Sequence, residues 1–185
     1  GLEVDSTALS NVARFLDTVA ANGGSHYGYV SRSGYTPAMT AEGLLCRQYL
    51  GWQRDDQRMM AGVDFVVSNP INFNAPNTYY WYYATQVMHH MEGRPWVMWN
   101  NRIQPLLVNT QSKIRGCEFG SWDPLGPPQR NPKTGALTFP YSEPHGASGG
   151  RLYVTSLALL TLEVYYRHLP LYADAPEIRK NDRSQ

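Results

Sequence analysis

Cysteine is scarce in this chain, and neither sign of charge prevails. Cys46 and Cys117 are the two thiols. They cannot make a disulfide framework or a four-cysteine zinc site. Lysine and arginine number 16 against 15 acidic residues, a formal balance of +1. Such a chain lacks the cationic excess that neutralises phosphates, which argues against nucleic acid or an anionic membrane as partner. No run approaches the roughly 18–20 consecutive apolar residues of a membrane span. No charged n-region followed by an apolar h-region opens the sequence. Gly1 stands first without a Met, the pattern of a processed or cut chain, and the compartment is not legible. With 185 residues, 42% of them apolar, the length suits one domain, read over residues 1–172, and a polar tail over 173–185.

What is present is helical periodicity. Leu9, Val12, Ala13, Leu16, Val19 and Ala20 form the i, i+3, i+4, i+7 stripe of an amphipathic helix over residues 6–21. Asp5 or Ser6 can cap it, and Asn22-Gly23-Gly24 ends it. A Tyr/Gly-rich loop follows at residues 25–29. Thr36-Pro37 opens a second helix over 38–50, apolar on most of its circumference and so expected to be buried. A third, amphipathic helix spans 54–67, with Asp55 and Asp56 in its first turn, where negative charge suits the helix dipole. The fourth, over 78–91, carries five consecutive aromatics from Tyr79 to Tyr83. The fifth runs over 95–110, opened by Pro95 and kinked by Pro105 near Asn101. A long loop over 111–150 holds six of the 13 prolines: Pro124, Pro127, Pro128, Pro132, Pro140 and Pro144. Loops of this length are uncommon in compact domains and often functional. The last helix, over 151–168, is the most apolar and is expected to be buried.

Three segments repeat. Thr40-Ala41-Glu42-Gly43-Leu44-Leu45, Tyr82-Tyr83-Ala84-Thr85-Gln86-Val87 and Thr155-Ser156-Leu157-Ala158-Leu159-Leu160 each open a helix read as buried, and each follows an amphipathic one. The offsets are 42 and 73 residues, the excess in the second being mostly the long loop. Paired helices at such a period imply a helical repeat, with buried helices wrapped by amphipathic ones in two layers. The fold class is therefore all-α, as three helical hairpins.

Helix pairs joined by aromatic, Gly-rich loops resemble the α/α toroid of squalene cyclases and protein prenyltransferase β-subunits. Gln111 through Gly120-Ser121-Trp122 resembles the Gln…Gly-x-Trp repeat of the cyclases. Residues 149–156, continuing into 162–167, resemble the last repeat of bacterial proteins with squalene-cyclase-like repeats, which are described mainly by that fold. The resemblance implies a partial α/α toroid with inner helices at 38–50, 78–91 and 151–168 and outer helices at 6–21, 54–67 and 95–110. Three pairs make less than a ring: a half-ring, a piece of a longer protein, or half of a self-partnered assembly. Where the cyclases carry their proton-donating acidic motif, this chain has Thr36-Pro37-Ala38-Met39-Thr40-Ala41, with the acids replaced. Arg115 stands two positions before Cys117, where the prenyltransferase zinc site has Asp. Neither polyene cyclisation nor zinc is therefore expected, and no cofactor is called for.

Other motifs fall short of chemistry. Asp55-Asp56 lacks the third acid of an Asp-Asp-x-x-Asp magnesium site, Met59 standing in its place. Gly146-Ala147-Ser148-Gly149-Gly150 matches a nucleophile elbow, but no apolar strand precedes it. His89 and Glu92 share a helix face without further ligands at metal spacing.

The long loop is richer. Glu118, Asp123, Glu143 and His145 are the candidate catalytic residues, since paired acids at a toroid rim can do acid/base work on a sugar. Tyr27, Tyr29, Trp81, Trp122, Tyr141 and Arg151 are the candidate ligand-binding residues, drawn from a wider aromatic set that can line a cavity for an isoprenoid or a glycan. A plainer reading of the same residues makes Trp122 a packing tie between helices and leaves the acids solvated or paired with Arg130 and Arg151. Three functions follow: a binding or structural module without the cyclase acid; a polysaccharide lyase or glycosidase using rim carboxylates; and a degenerate isoprenoid enzyme. Carboxylates converging beside exposed aromatics would favour the second, and a deep aromatic cavity the third.

Overall fold

The computed structural model describes residues 3–72, 74–125, 129–138, 143–167 and 171–172. The fold is all-α. Helices α1 (Ser6–Val19), α2 (Pro37–Tyr49), α3 (Gln57–Ser68), α4 (Thr78–Met91), α5 (Gly93–Thr110), α6 (Gly146–Leu162) and α7 (Val164–Arg167) are accompanied by two small antiparallel hairpins. One pairs β1 (Ala20–Ala21), read from sequence as the end of the first helix, with β2 (His26–Tyr27), in the segment read as a loop; the other pairs β3 (Gln129–Arg130) with β4 (Leu137–Thr138).

Four of the helix starts have a chemical cause. Asp5, Thr36, Asp56 and Asn77 accept hydrogen bonds from backbone N–H groups in the first turns of α1, α2, α3 and α4. The third helix thus begins at Gln57 and not near residue 54, because Asp56 caps it from outside. The fifth begins at Gly93, so Pro95 lies inside its first turn, and Pro105 is accommodated within one helix.

Packing is ordered along the chain. Helix α4 lies between α2 and α6; α3 packs on α2 and α4, and α5 on α4 and α6. Seven of the 13 residues of α2 and ten of the 14 of α4 are buried, polar ones such as Arg47, Gln48 and Gln86 among them. The expectation for the last helix needs correction. It starts at Gly146, breaks at Gly150 and ends at Leu162, and Leu152 and Leu159 are 79% and 44% exposed. The cause is position: α6 packs on α4 and α5, and no further pair covers its far side among the described residues. Leu9, Val12 and Phe15 of α1 are likewise exposed, at the other end of the array.

Aromatic donors close the turns between helices. The Tyr27 hydroxyl donates to the Gly24 carbonyl just after α1. The Tyr80 hydroxyl donates to the carbonyls of Val66 and Asn69 at the end of α3, at 3.0 and 2.8 Å. The Trp122 indole Nε1–H donates to Leu107 in the last turn of α5, at 2.9 Å. Threonines of the repeat complete the pattern. The Thr40 hydroxyl oxygen accepts from the Tyr27 amide, and that of Thr155 from the Trp122 amide. Gly43 is needed where the Tyr27 ring crosses α2, since a Cβ there would lie 2.4 Å from the ring.

Two substitutions test this frame. Gly43→Ala must displace the ring and should lower unfolding free energy by about 1–3 kcal/mol. Tyr80→Phe keeps the ring and removes the donor to two carbonyls, and should cost about 1–2 kcal/mol. Urea denaturation reads both, with the m-value unchanged.

Candidate functional site

The loop after α5 is organised by its Gln…Gly-x-Trp segment. The Gln111 side-chain amide donates to the Gly120 carbonyl at 2.8 Å, while Ser112 exchanges backbone hydrogen bonds with Gly120 and Ser121. Gly120 sits at φ +80°, a left-handed conformation that favours glycine. The result delivers Trp122, 5% exposed, between the end of α5 and the middle of α6.

A cavity of about 420 Å³ opens beside it, a size suited to a small molecule. Its apolar wall includes Trp81 of α4, Leu107 of α5, Val154 of α6, and Trp122 and Ile114 of the loop. Its polar wall holds Thr78, Glu118, Asp123, Glu143 and Arg151. Six of the ten residues singled out from sequence therefore share one cavity: Glu118, Asp123, Glu143, Trp81, Trp122 and Arg151.

The carboxylates are already engaged. Arg151 Nη2 lies 2.5 Å from Asp123 Oδ2 and 3.8 Å from Glu118 Oε2, and Nη1 donates to Ser121 Oγ. The first two acids thus share one cation at the half-exposed mouth. Arg130 donates to the Gly135 carbonyl.

Glu143 lies deeper, at 3% exposure. Its Oε2 accepts the Thr78 amide, the first of α4, at 2.8 Å, so a carboxylate from 65 residues away sits on that helix N-terminus, where negative charge is favoured. Its Oε1 is buried with no hydrogen-bond partner among the described residues. The buried Thr78 hydroxyl lies beside the carboxylate and helps to lower its pKa, though no hydrogen bond of ordinary geometry joins them. Burial raises the Glu143 pKa above the ordinary value, against the lowering effect of the Thr78 amide and of nearby His145.

The remaining residues lie elsewhere. His145 is exposed, with its ring 6.0 Å from that of Tyr79 and 6.1 Å from that of Tyr153. Tyr27 is buried against Gly43, and Tyr29 is 76% exposed; both border a separate cavity of about 220 Å³ between α1 and α2. Tyr141 lies outside the described residues, as does the tail over 173–185.

Sequence reasoning missed Thr78, Glu42, Tyr82 and Tyr83. The last two belong to a line of ring contacts, Tyr82–Tyr83–Tyr79–His145–Tyr153, with neighbouring centroids 4.8–6.1 Å apart. The Tyr79 hydroxyl donates to Glu42 Oε2 at 2.9 Å, and burial with this carboxylate pushes its pKa up. Burial, with the Glu143 charge, pushes the Tyr153 phenol up to about 12. The legible signal was spacing: 79, 82 and 83 share one helix face. No group of three or more His, Cys, Asp or Glu side chains suited to a metal occurs among the described residues.

The Glu143 environment sets a pH dependence. Its carboxyl binds a proton more tightly folded than unfolded. Its contribution favours the fold below the ordinary glutamate pKa and is lost as pH rises through the raised folded value. Glu143→Gln keeps an oxygen for the Thr78 amide and removes the titration. Denaturation at pH 4 and pH 7.5 should show wild type losing stability relative to this variant at the higher pH. The chain matches no protein-family model, no curated protein and no solved structure.

Proposed function

We propose that the chain is a small-molecule-binding module built on a segment of an α/α toroid, with α2, α4 and α6 as inner wall and α1, α3 and α5 as outer wall. The order of helix contacts supports that arrangement: α4 lies between α2 and α6, and α3 and α5 pack alongside them. One observation carries the functional reading. The cavity is lined by Trp81, Trp122, Leu107 and Val154, while Glu118 and Asp123 are tied to Arg151 and Glu143 is tied to the α4 N-terminus. Acid/base work on a sugar needs one carboxyl free to give a proton and another free to take one or to attack. These three already hold the walls, which leaves shape, apolar contact and one open Glu143 oxygen as what the cavity offers. An isoprenoid diphosphate is disfavoured, because Arg151 is the one cation among the described lining residues and is already paired.

A second reading rests on the tyrosine line. Its rings and hydroxyls, with Glu42 and His145, form a surface on which a neutral glycan can stack and hydrogen-bond. This is the polysaccharide reading moved from the loop carboxylates to the helix faces.

A thermal-shift screen of the full chain separates the readings. A ligand held at about 100 times its Kd should add about 2.7 kcal/mol, several degrees in Tm for a domain of this size. A small apolar ligand should shift wild type and lose its effect in Val154→Trp, which fills the cavity. A shift with oligosaccharides that Tyr83→Ala removes would favour the second reading. No shift with any class defeats both.

A further inference from the structure

Resting on the cavity being a binding site, the inference concerns its ligand. The described lining residues place Glu118, Asp123 and Glu143 around a single cation, Arg151. The cavity therefore carries a negative excess even with both ion pairs at its mouth intact. Its deepest charged group, Glu143, is buried and has one carboxylate oxygen without a hydrogen-bond partner among the described residues. Beside it the Thr78 hydroxyl, 4% exposed, is also without one. A buried polar atom with no partner costs free energy until a ligand or a water supplies one. What is missing is a donor and not an acceptor: carboxylate oxygens only accept, and a hydroxyl can do either. The indoles of Trp81 and Trp122 supply the complementary wall, apolar and favourable to a cation over a ring face.

We propose that the cavity binds an apolar primary amine in its ammonium form, with the ammonium donating to Glu143 and the Thr78 hydroxyl and the apolar body lying against Trp81 and Trp122. An ammonium brings several donors and one positive charge, so it fills both open positions and offsets the negative excess. Its approach also favours the ionised form of the Glu143 carboxyl, which burial otherwise disfavours. An alcohol of the same shape fills one position without the charge, and a carboxylate meets repulsion.

Three compounds of nearly the same shape test the charge: tryptamine, tryptophol and indole-3-propionate, titrated calorimetrically into the full chain at neutral pH. Tryptamine should bind at least about tenfold tighter than tryptophol, and indole-3-propionate weakest of the three. Glu143→Gln should bring tryptamine and tryptophol within about threefold of each other while tryptophol still binds. Because that variant disturbs a buried contact, Asp123→Asn at the exposed mouth is the second arm. It releases Arg151 and should narrow the gap between amine and acid. Equal binding of the three compounds, a preference for the acid, or an amine preference intact in both variants would overturn the proposal. If tryptophol binds in the cavity and tryptamine does not, the charge inference fails while the binding module stands. If nothing binds, both fail.

Discussion

A chain folded as successive helices must satisfy the free carbonyls at each helix C-terminus, where it turns back and water is partly excluded. Here the donors come from large aromatics. Tyr80 and Trp122 each bury a ring and place an O–H or N–H on carbonyls at or just beyond the end of the preceding long helix, and Tyr27 does the same for Gly24 in the turn that follows α1. An aromatic with a polar tip does two things at once: it fills the wedge between helices and it closes the open end. The threonines that accept from the Tyr27 and Trp122 amides then fix those rings to the following helix. The long loop is thus held at its tryptophan, and the cavity exists because that tryptophan is fixed.

Much of the fold was legible, for reasons that can be traced to residues. Helix α2 read as buried because its apolar residues go most of the way round, and α4 because it repeats the same segment; both are largely buried. The Gln111–Trp122 segment read as a tie and is one, since the glutamine, the positive-φ glycine and the indole each have a single local task. The last helix misled because composition reports what a helix can bury and not whether a neighbour is there to cover it. Leu152 and Leu159 are as apolar as the residues of α2, yet face outward. The β1–β2 hairpin was missed because two-residue strands leave no alternation to detect.

The site was legible as a set of residue types and not as an arrangement. Loop carboxylates and a tryptophan do meet in one cavity, but composition does not say which of them is already paired. Arg151 takes two, and the α4 N-terminus takes the third. That partition turns an apparent acid/base cluster into a scaffold with a small residual charge. Thr78 could not be singled out from sequence, since its interest comes entirely from standing next to Glu143 in space.

The tie from Glu143 to Thr78 spans 65 residues, and its length has a kinetic meaning. Non-local contacts repay the entropy of closing the chain only late in folding. During vectorial synthesis the first two helix pairs can associate while the start of α4 relies on Asn77 alone. The middle of the molecule is then finished by a side chain made well after it, so the assembly of the cavity wall and the locking of the central helix are one event.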